Sequence, residues 1–242
     1  MKWIFSQYQL NAIRVAEATE RQTAMPADVL PATKRTRLKR AHKRGHYDRE
    51  TINAILDATP LCHVGYLIDG KPAVTPTIQW REGDHVYWHG SSASRALRNA
   101  AGMDVCLTVS LIDGMVLARS AFHHSANYRS VMLYGTATKI SDPAVKAEKF
   151  KIFVDTLFPG RWDMLRPMTD QEVKATTLLS LPIEEASAKI RAGGPVDDEE
   201  DYALPIWAGV VPILQVVGEP EPDPRNLPDL KVPAHASAYT IG

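Results

Sequence analysis

The chain has 242 residues, 45% of them hydrophobic and 23% charged, with a formal net charge of +0 at pH 7. That length can bury a sizeable core, and the charge balance supplies no drive towards nucleic acid or an anionic membrane surface. No run approaches the roughly 18–20 apolar residues that span a bilayer, and the two cysteines, Cys62 and Cys106, lie in apolar strand-like runs, as expected of buried, reduced thiols in a cytoplasmic protein.

Three regions are expected in chain order. Residues 1–44 read as an N-terminal extension: an amphipathic segment interrupted by Gln7, Gln9, Asn11 and Arg14, a spacer from Met25 to Ala32, and a basic run from Lys34 to Arg44. The extension lacks the uninterrupted apolar block of a signal peptide. The basic run has no interleaved aromatics, which favours a solvated helix or a packed arm over a nucleic-acid contact. Residues 45–214 carry the periodicity of a folded core. Residues 215–242 are spaced by prolines and predict a flexible tail.

Within the core, Asp48 caps a helix over about Arg49 to Ala58 with Ile52, Ile55 and Leu56 on one face. Two strands follow, joined at Asp69-Gly70, and a turn at Glu82-Gly83-Asp84 leads to a third. After a short helix, Asp104 to Phe122 reads as a strand pair joined at Asp113-Gly114. Arg129 to Ile140 is a long strand, Pro143 to Phe158 an amphipathic helix capped by Asp142, and Thr176 to Leu181 the last core strand. Short antiparallel strands with tight turns and few helices predict a mainly β small barrel with flanking helices. No Gly-x-Gly-x-x-Gly follows a strand, which argues against a dinucleotide-binding Rossmann unit.

Two segments carry the chemistry. Val86 to Gly102 reads as a strand ending at Gly90, a hydroxyl-rich turn, and a helix with Arg95 in its opening turn. Unpaired backbone N–H groups, the hydroxyls of Ser91, Ser92 and Ser94, and the Arg95 guanidinium form a donor set for an anion such as a phosphate. His123 to Gly135 crowds two histidines, Asn127, Arg129 and Ser130 at the start of an apolar strand, which gains a core nothing. Together the segments predict one site for a phosphorylated cofactor. Simpler assignments hold elsewhere. His123 and His124 lack a third ligand at metal spacing, so no metal site is expected, and His63 reads as a hydrogen-bonded core residue. Trp80 and Trp88 read as packing residues, and Asp197 to Asp201 as a solvated loop. Val131 and Leu133 exceed what one small barrel covers, which predicts burial against a second subunit.

The succession YWHGSSASR, HHSANYRSV, PGRWD, EEASAKIRAG and DDEEDYALPIWAGVVP resembles the flavin-nucleotide-binding branch of the pyridoxamine 5'-phosphate oxidase-related family, which includes the nitroimidazole-resistance proteins. The resemblance spans about Gly45 to Leu214. It implies an FMN-binding split β-barrel of antiparallel Greek-key type and a homodimer with flavin sites at the interface. It assigns the cofactor phosphate to Ser91, Ser92, Ser94 and Arg95, and runs Val74 to Thr77, with Thr75 and Thr77, along the flavin ring. Asn127, Arg129 and Ser130 match its Asn-Tyr-Arg-Ser element; Lys189, Arg191 and Trp207 match late positions near the flavin, and His89 a histidine beside the pocket.

The resemblance implies an FMN-dependent oxidoreductase acting on a small molecule, with NADH or NADPH as electron donor. His89 or His123 would donate protons, and Arg129, Lys189 or Arg191 would stabilise negative charge on the reduced ring. A flavin carrier without turnover, or a split barrel holding haem or another flat cofactor, would use the same cleft. A pyridoxamine-phosphate oxidase ends in an arginine–histidine element that grips the substrate phosphate; the Pro-rich tail here, with its lone Arg225, argues against that activity.

Overall fold

The computed structural model describes residues 28–242; the amphipathic segment expected near the N-terminus lies outside them. Ten strands form the body: β1 (Gly45–His46), β2 (Leu61–Ile68), β3 (Lys71–Glu82), β4 (His85–Ser91), β5 (Asp104–Leu117), β6 (Ser125–Thr136), β7 (Thr138–Ile140), β8 (Thr176–Pro182), β9 (Glu185–Arg191) and β10 (Gly209–Pro212). The helices are α1 (Arg49–Asp57), α2 (Arg95–Ala100), α3 (Pro143–Leu157), α4 (Asp170–Ala175) and α5 (Ala234–Ser237). The strand order is β1-β9-β6-β5-β2-β3-β4-β8-β7, every pairing is antiparallel, and β10 adds to β5. This is the mainly β, split-barrel architecture expected from the sequence.

Local chemistry sets most of these elements. Asp48 accepts a hydrogen bond from the Thr51 N–H and starts α1, whose Ile52, Ile55 and Leu56 are buried in the barrel core. Asp142 does the same for α3, receiving the N–H groups of Ala144 and Val145 beside Pro143. Asp69 and Gly70 both take positive φ, 51° and 74°, and close the β2–β3 hairpin tightly. The main core joins Val64, Trp88, Leu107, Val131, Leu133 and Leu179 between the sheet faces. Trp80, Tyr87 and Leu178 form a smaller core beneath Ile152 and Phe153 of α3.

Several expectations are corrected. Asp113-Gly114 is a β-bulge inside one 14-residue strand, because β6 pairs continuously on both sides of it. Gly114 is required by β10: a Cβ there would sit 3.0 Å from the Val211 carbonyl oxygen. The strand expected over Arg129 to Ile140 begins earlier, at Ser125, and breaks at Ala137, where the chain leaves β9 and pairs with β8. β8 is followed by β9 and β10 rather than ending the core. Val131 and Leu133 are fully buried by this chain's own core and give no argument for a second subunit; Met132 between them points outward.

The flanking segments bind to this body. Leu30 is buried and pairs with the Tyr47 carbonyl, and Arg35 bridges Asp104 and Glu185. The basic run holds only a short 3-10 turn at His42–Arg44. Residues 215–242 carry just α5, but the last N–H, of Gly242, bonds the Ala58 carbonyl at 2.9 Å and Tyr239 packs on Phe158. No helix among the described residues is long and apolar enough to cross a membrane.

Candidate functional site

The turn between β4 and α2 is built from the inside out. Leu97 and Ala100 anchor α2 in the core, and Ser91 closes the β4–β8 ladder opposite Thr176. The Ser92 N–H bonds the Ala175 carbonyl, and the Ser94 N–H bonds that of Ser91. The Ser91 hydroxyl accepts from the Ala93 N–H at 3.2 Å, so this serine shapes the turn itself. The Ser94 side chain makes no cap, Ser92 is exposed, and Arg95 is exposed with no ion pair among the described residues. Arg95, Ala96 and Leu97 open the helix with N–H groups that have no partner within it. α2 has only six residues, so its dipole contributes little; the hydroxyls, N–H groups and Arg95 carry the donor character.

On β3, Thr75 and Thr77 lie opposite Val64 and Cys62. The Thr75 hydroxyl is 2.9 Å from that of Tyr66. Val74 and Ile78 alternate with them, exposed on the outer face.

A second cluster lies on β6 and β9. The buried Arg191 donates to Asn127 Oδ1 and to the carbonyls of Gly193 and Gly194, and Asn127 donates to Gly193. Burial, reinforced by Arg44, pulls the Arg191 pKa down. Arg129 is paired with Asp113 at 2.8 Å. Ser130 donates to the Lys189 carbonyl, and Lys189 Nζ sits 5.8 Å from the Tyr128 ring centre with no carboxylate partner among the described residues. On one side β5, β2 and β3 stand between β6 and β4; on the other the barrel closes through β7 and β8, but Ala137, where β6 turns towards β8, lies seven residues beyond Ser130, about 23 Å along the strand. The two segments read together in the sequence therefore occupy separate parts of one chain.

The candidate proton donors sit elsewhere again. His89 points under α3, its ring 5.2 Å from Phe150, 5.0 Å from Phe153 and 5.9 Å from Trp80. Its Nδ1 is buried without a partner, and burial pushes its pKa down, which favours the neutral ring. His123 lies 3.4 Å from the Asp198 carboxylate. Trp207 is 67% exposed and rests over Gly209 at the start of β10. A cavity of about 480 Å³ between the end of α1, β3 and the C-terminal tail is bordered by Trp80 but by none of the candidate site residues.

Two features escaped the sequence. Asp197, expected in a solvated run, has a fully buried side chain that takes the Arg119 N–H and guanidinium; Tyr202 stacks on that guanidinium. The available signal was Arg119, a lone charge following the apolar Met115 to Ala118 run. His63, expected to be hydrogen-bonded in the core, faces outward across from Pro76 and Thr108 and makes no side-chain hydrogen bond among the described residues. Cys62, its inward neighbour, is fully buried; burial raises its thiol pKa to about 12 and leaves it inert. No group of three or more metal-ligating His, Cys, Asp or Glu side chains occurs among the described residues.

The family model for pyridoxamine 5'-phosphate oxidase matches residues 48–190. The flavocytochrome Anf3 from Azotobacter vinelandii is 57% identical, with a TM-score of 0.85 over 88% of this chain and 100% of that one. The FAD- and haem-binding protein from Mycobacterium smegmatis is 36% identical, with a TM-score of 0.78 over 81% of this chain and 97% of that one. A 5-nitroimidazole antibiotic resistance protein from Bacteroides thetaiotaomicron, 23% identical with a TM-score of 0.50, covers 60% of this chain and 86% of its own, and shares the fold. No curated protein matches the chain.

Proposed function

The chain belongs to the pyridoxamine 5'-phosphate oxidase family, and from that membership we propose that it is a flavin-nucleotide-binding redox protein. The observation that carries the reading is the uncommitted donor set between β4 and α2: Ser92, Ser94, Arg95 and the opening N–H groups of the helix. The donors suit the phosphate next to the ribityl chain, which FMN and FAD share, while Thr75 and Thr77 of β3 lie beside the ring. Once bound, the flavin supplies hydride and single-electron transfer. The chain's own residues hold the phosphate, orient the ring along β3, and through Lys189 offer a positive charge that no carboxylate among the described residues engages. Arg129 and Arg191 serve that role less well, since both are already engaged.

The separation supports a homodimer in which Lys189 on β9 of one subunit, unengaged by any carboxylate among the described residues, completes the flavin site of the other. Exposed Tyr202, Leu204, Ile206, Trp207 and Val211 around β10 supply apolar surface for that association. The inert, buried Cys62 and balanced charge suit a cytoplasmic protein, and NADH or NADPH is the electron donor put to the test below. A second reading adds haem to the flavin, because the 57%-identical relative is a flavocytochrome and the 36%-identical one binds FAD and haem.

The absorption spectrum of the purified full chain, with chromatography of the released cofactor, tests the proposal. A flavin spectrum, and its bleaching by anaerobic NADH or NADPH, is expected. A colourless protein that takes up neither FMN nor FAD would overturn it, and a bound flavin that no nicotinamide reduces would leave a carrier instead of an enzyme.

A further inference from the structure

The outer face of the β3–β2–β5–β6 sheet carries an open patch rich in apolar side chains, with Thr108, Ser110 and Ser130 among them. Leu61, Leu67, Val74, Ile78, Ile112 and Met132 are each 39–65% exposed on it. Register brings Pro76, His63, Thr108 and Met132 into one row across the four strands. Three inter-strand spacings make that row about 14 Å long, comparable with the width of a porphyrin. His63 is the one titratable or charged group in the row. It is half-buried, stands on the outer face by strand alternation, and makes no side-chain hydrogen bond among the described residues. The next same-face position on β2 is Gly65, which has no side chain to obstruct a flat group.

Four other histidines are engaged. His89 is walled in by Phe150, Phe153 and Trp80. His124 Nδ1 lies 2.8 Å from the Ser120 carbonyl, His123 faces Asp198, and His235 packs against Phe158. An imidazole standing among aliphatic side chains on a sheet face suits an axial ligand, since haem iron is commonly held by a histidine ring nitrogen.

The geometry points to His63 as the axial ligand of a haem lying on this face; the inference rests on the haem reading above. It also gives the two cofactors adjoining strands. β3, assigned to the flavin ring, turns Thr75 and Thr77 to one face and sets Pro76 directly across from His63 on the other.

Titration of the full chain with hemin, followed by ferric and dithionite-reduced spectra, separates this inference from the reading beneath it. The wild type should bind hemin with the Soret and visible bands of a histidine-ligated haem. A wild type that binds none overturns the haem reading itself. The His63→Gly variant, checked for folding by circular dichroism and for flavin uptake, should lose that spectrum, and added imidazole should restore it. His85→Ala, altering a histidine that packs on Tyr87, should keep it. A His63→Gly protein with wild-type haem spectra overturns His63 as the ligand while leaving haem binding intact. Loss that imidazole cannot restore overturns it as well, and makes His63 a packing residue.

Discussion

The β4–α2 turn and the β6–β9 cluster contain similar residue types and differ in what those residues are free to do. In the turn, Arg95 is exposed without an ion pair among the described residues, and the Ser94 hydroxyl caps nothing. In the cluster, Arg129 is held by Asp113, Arg191 by Asn127 and two carbonyls, and Ser130 by the Lys189 carbonyl. The first set keeps donors to spare; the second already satisfies itself and fixes the ends of two strands. A cation counts as a binding group only when the fold has not already neutralised it, and the sequence does not reveal which arginine has a partner.

The contrast can be broken at either end, and the cluster should give the larger effect on stability. Arg191→Met strips the partners from Asn127 Oδ1 and from two loop carbonyls. It should cost about 2–3 kcal/mol in denaturant unfolding while leaving flavin affinity nearly unchanged. If the variant were as stable as wild type but bound flavin poorly, the cluster would be a binding site and the contrast would fail.

Arg95→Ala should do the reverse. An exposed, unpaired side chain costs little on removal, within about 0.5 kcal/mol of stability. A charge-assisted contact to phosphate is worth about 1.5–3 kcal/mol, so FMN affinity should fall roughly tenfold to a hundredfold. Unchanged affinity by fluorescence quenching would assign the phosphate elsewhere.

The smallest effect sharpens the comparison with a group whose role is purely structural. Burial tends to raise the pKa of Asp48, but hydrogen bonds from the Thr51 hydroxyl and N–H outweigh it and hold the carboxyl below its ordinary value. A depressed folded pKa contributes stability that is fully present above the unfolded value, about 3.9, and is lost as pH falls through the folded one. Asp48→Ala should cost about 1 kcal/mol near neutrality. The gap between variant and wild type should narrow in acid unfolding below about pH 4; a constant gap would mean that the charge contributes nothing to the cap.

Elements governed by neighbouring residues were legible in the sequence. Asp48 and Asp142 as caps, Asp69-Gly70 as a hairpin turn, and the β4–turn–α2 succession all rest on contacts a few residues apart. What depended on distant partners was not. Asp113-Gly114 has the dipeptide of a turn, yet β6 pairs across it and makes it a bulge. Val131 and Leu133 looked too apolar for one barrel until α1, β5 and β8 supplied their cover. Asp197 looked solvated because its partner, Arg119, lies far away in sequence. For the site, residue types and spacing identified the donor-rich turn. The separation of that turn from Asn127, Lys189 and Arg191 followed only from strand order.

The most direct test of the phosphate assignment proposed for the β4–α2 turn is equilibrium titration of the same flavin-free protein with riboflavin and with FMN, which differ only in the phosphate. FMN should bind about tenfold to a hundredfold more tightly, and Arg95→Ala should erase most of that difference while leaving riboflavin binding intact. Equal affinities for the two flavins in the wild type would contradict the account.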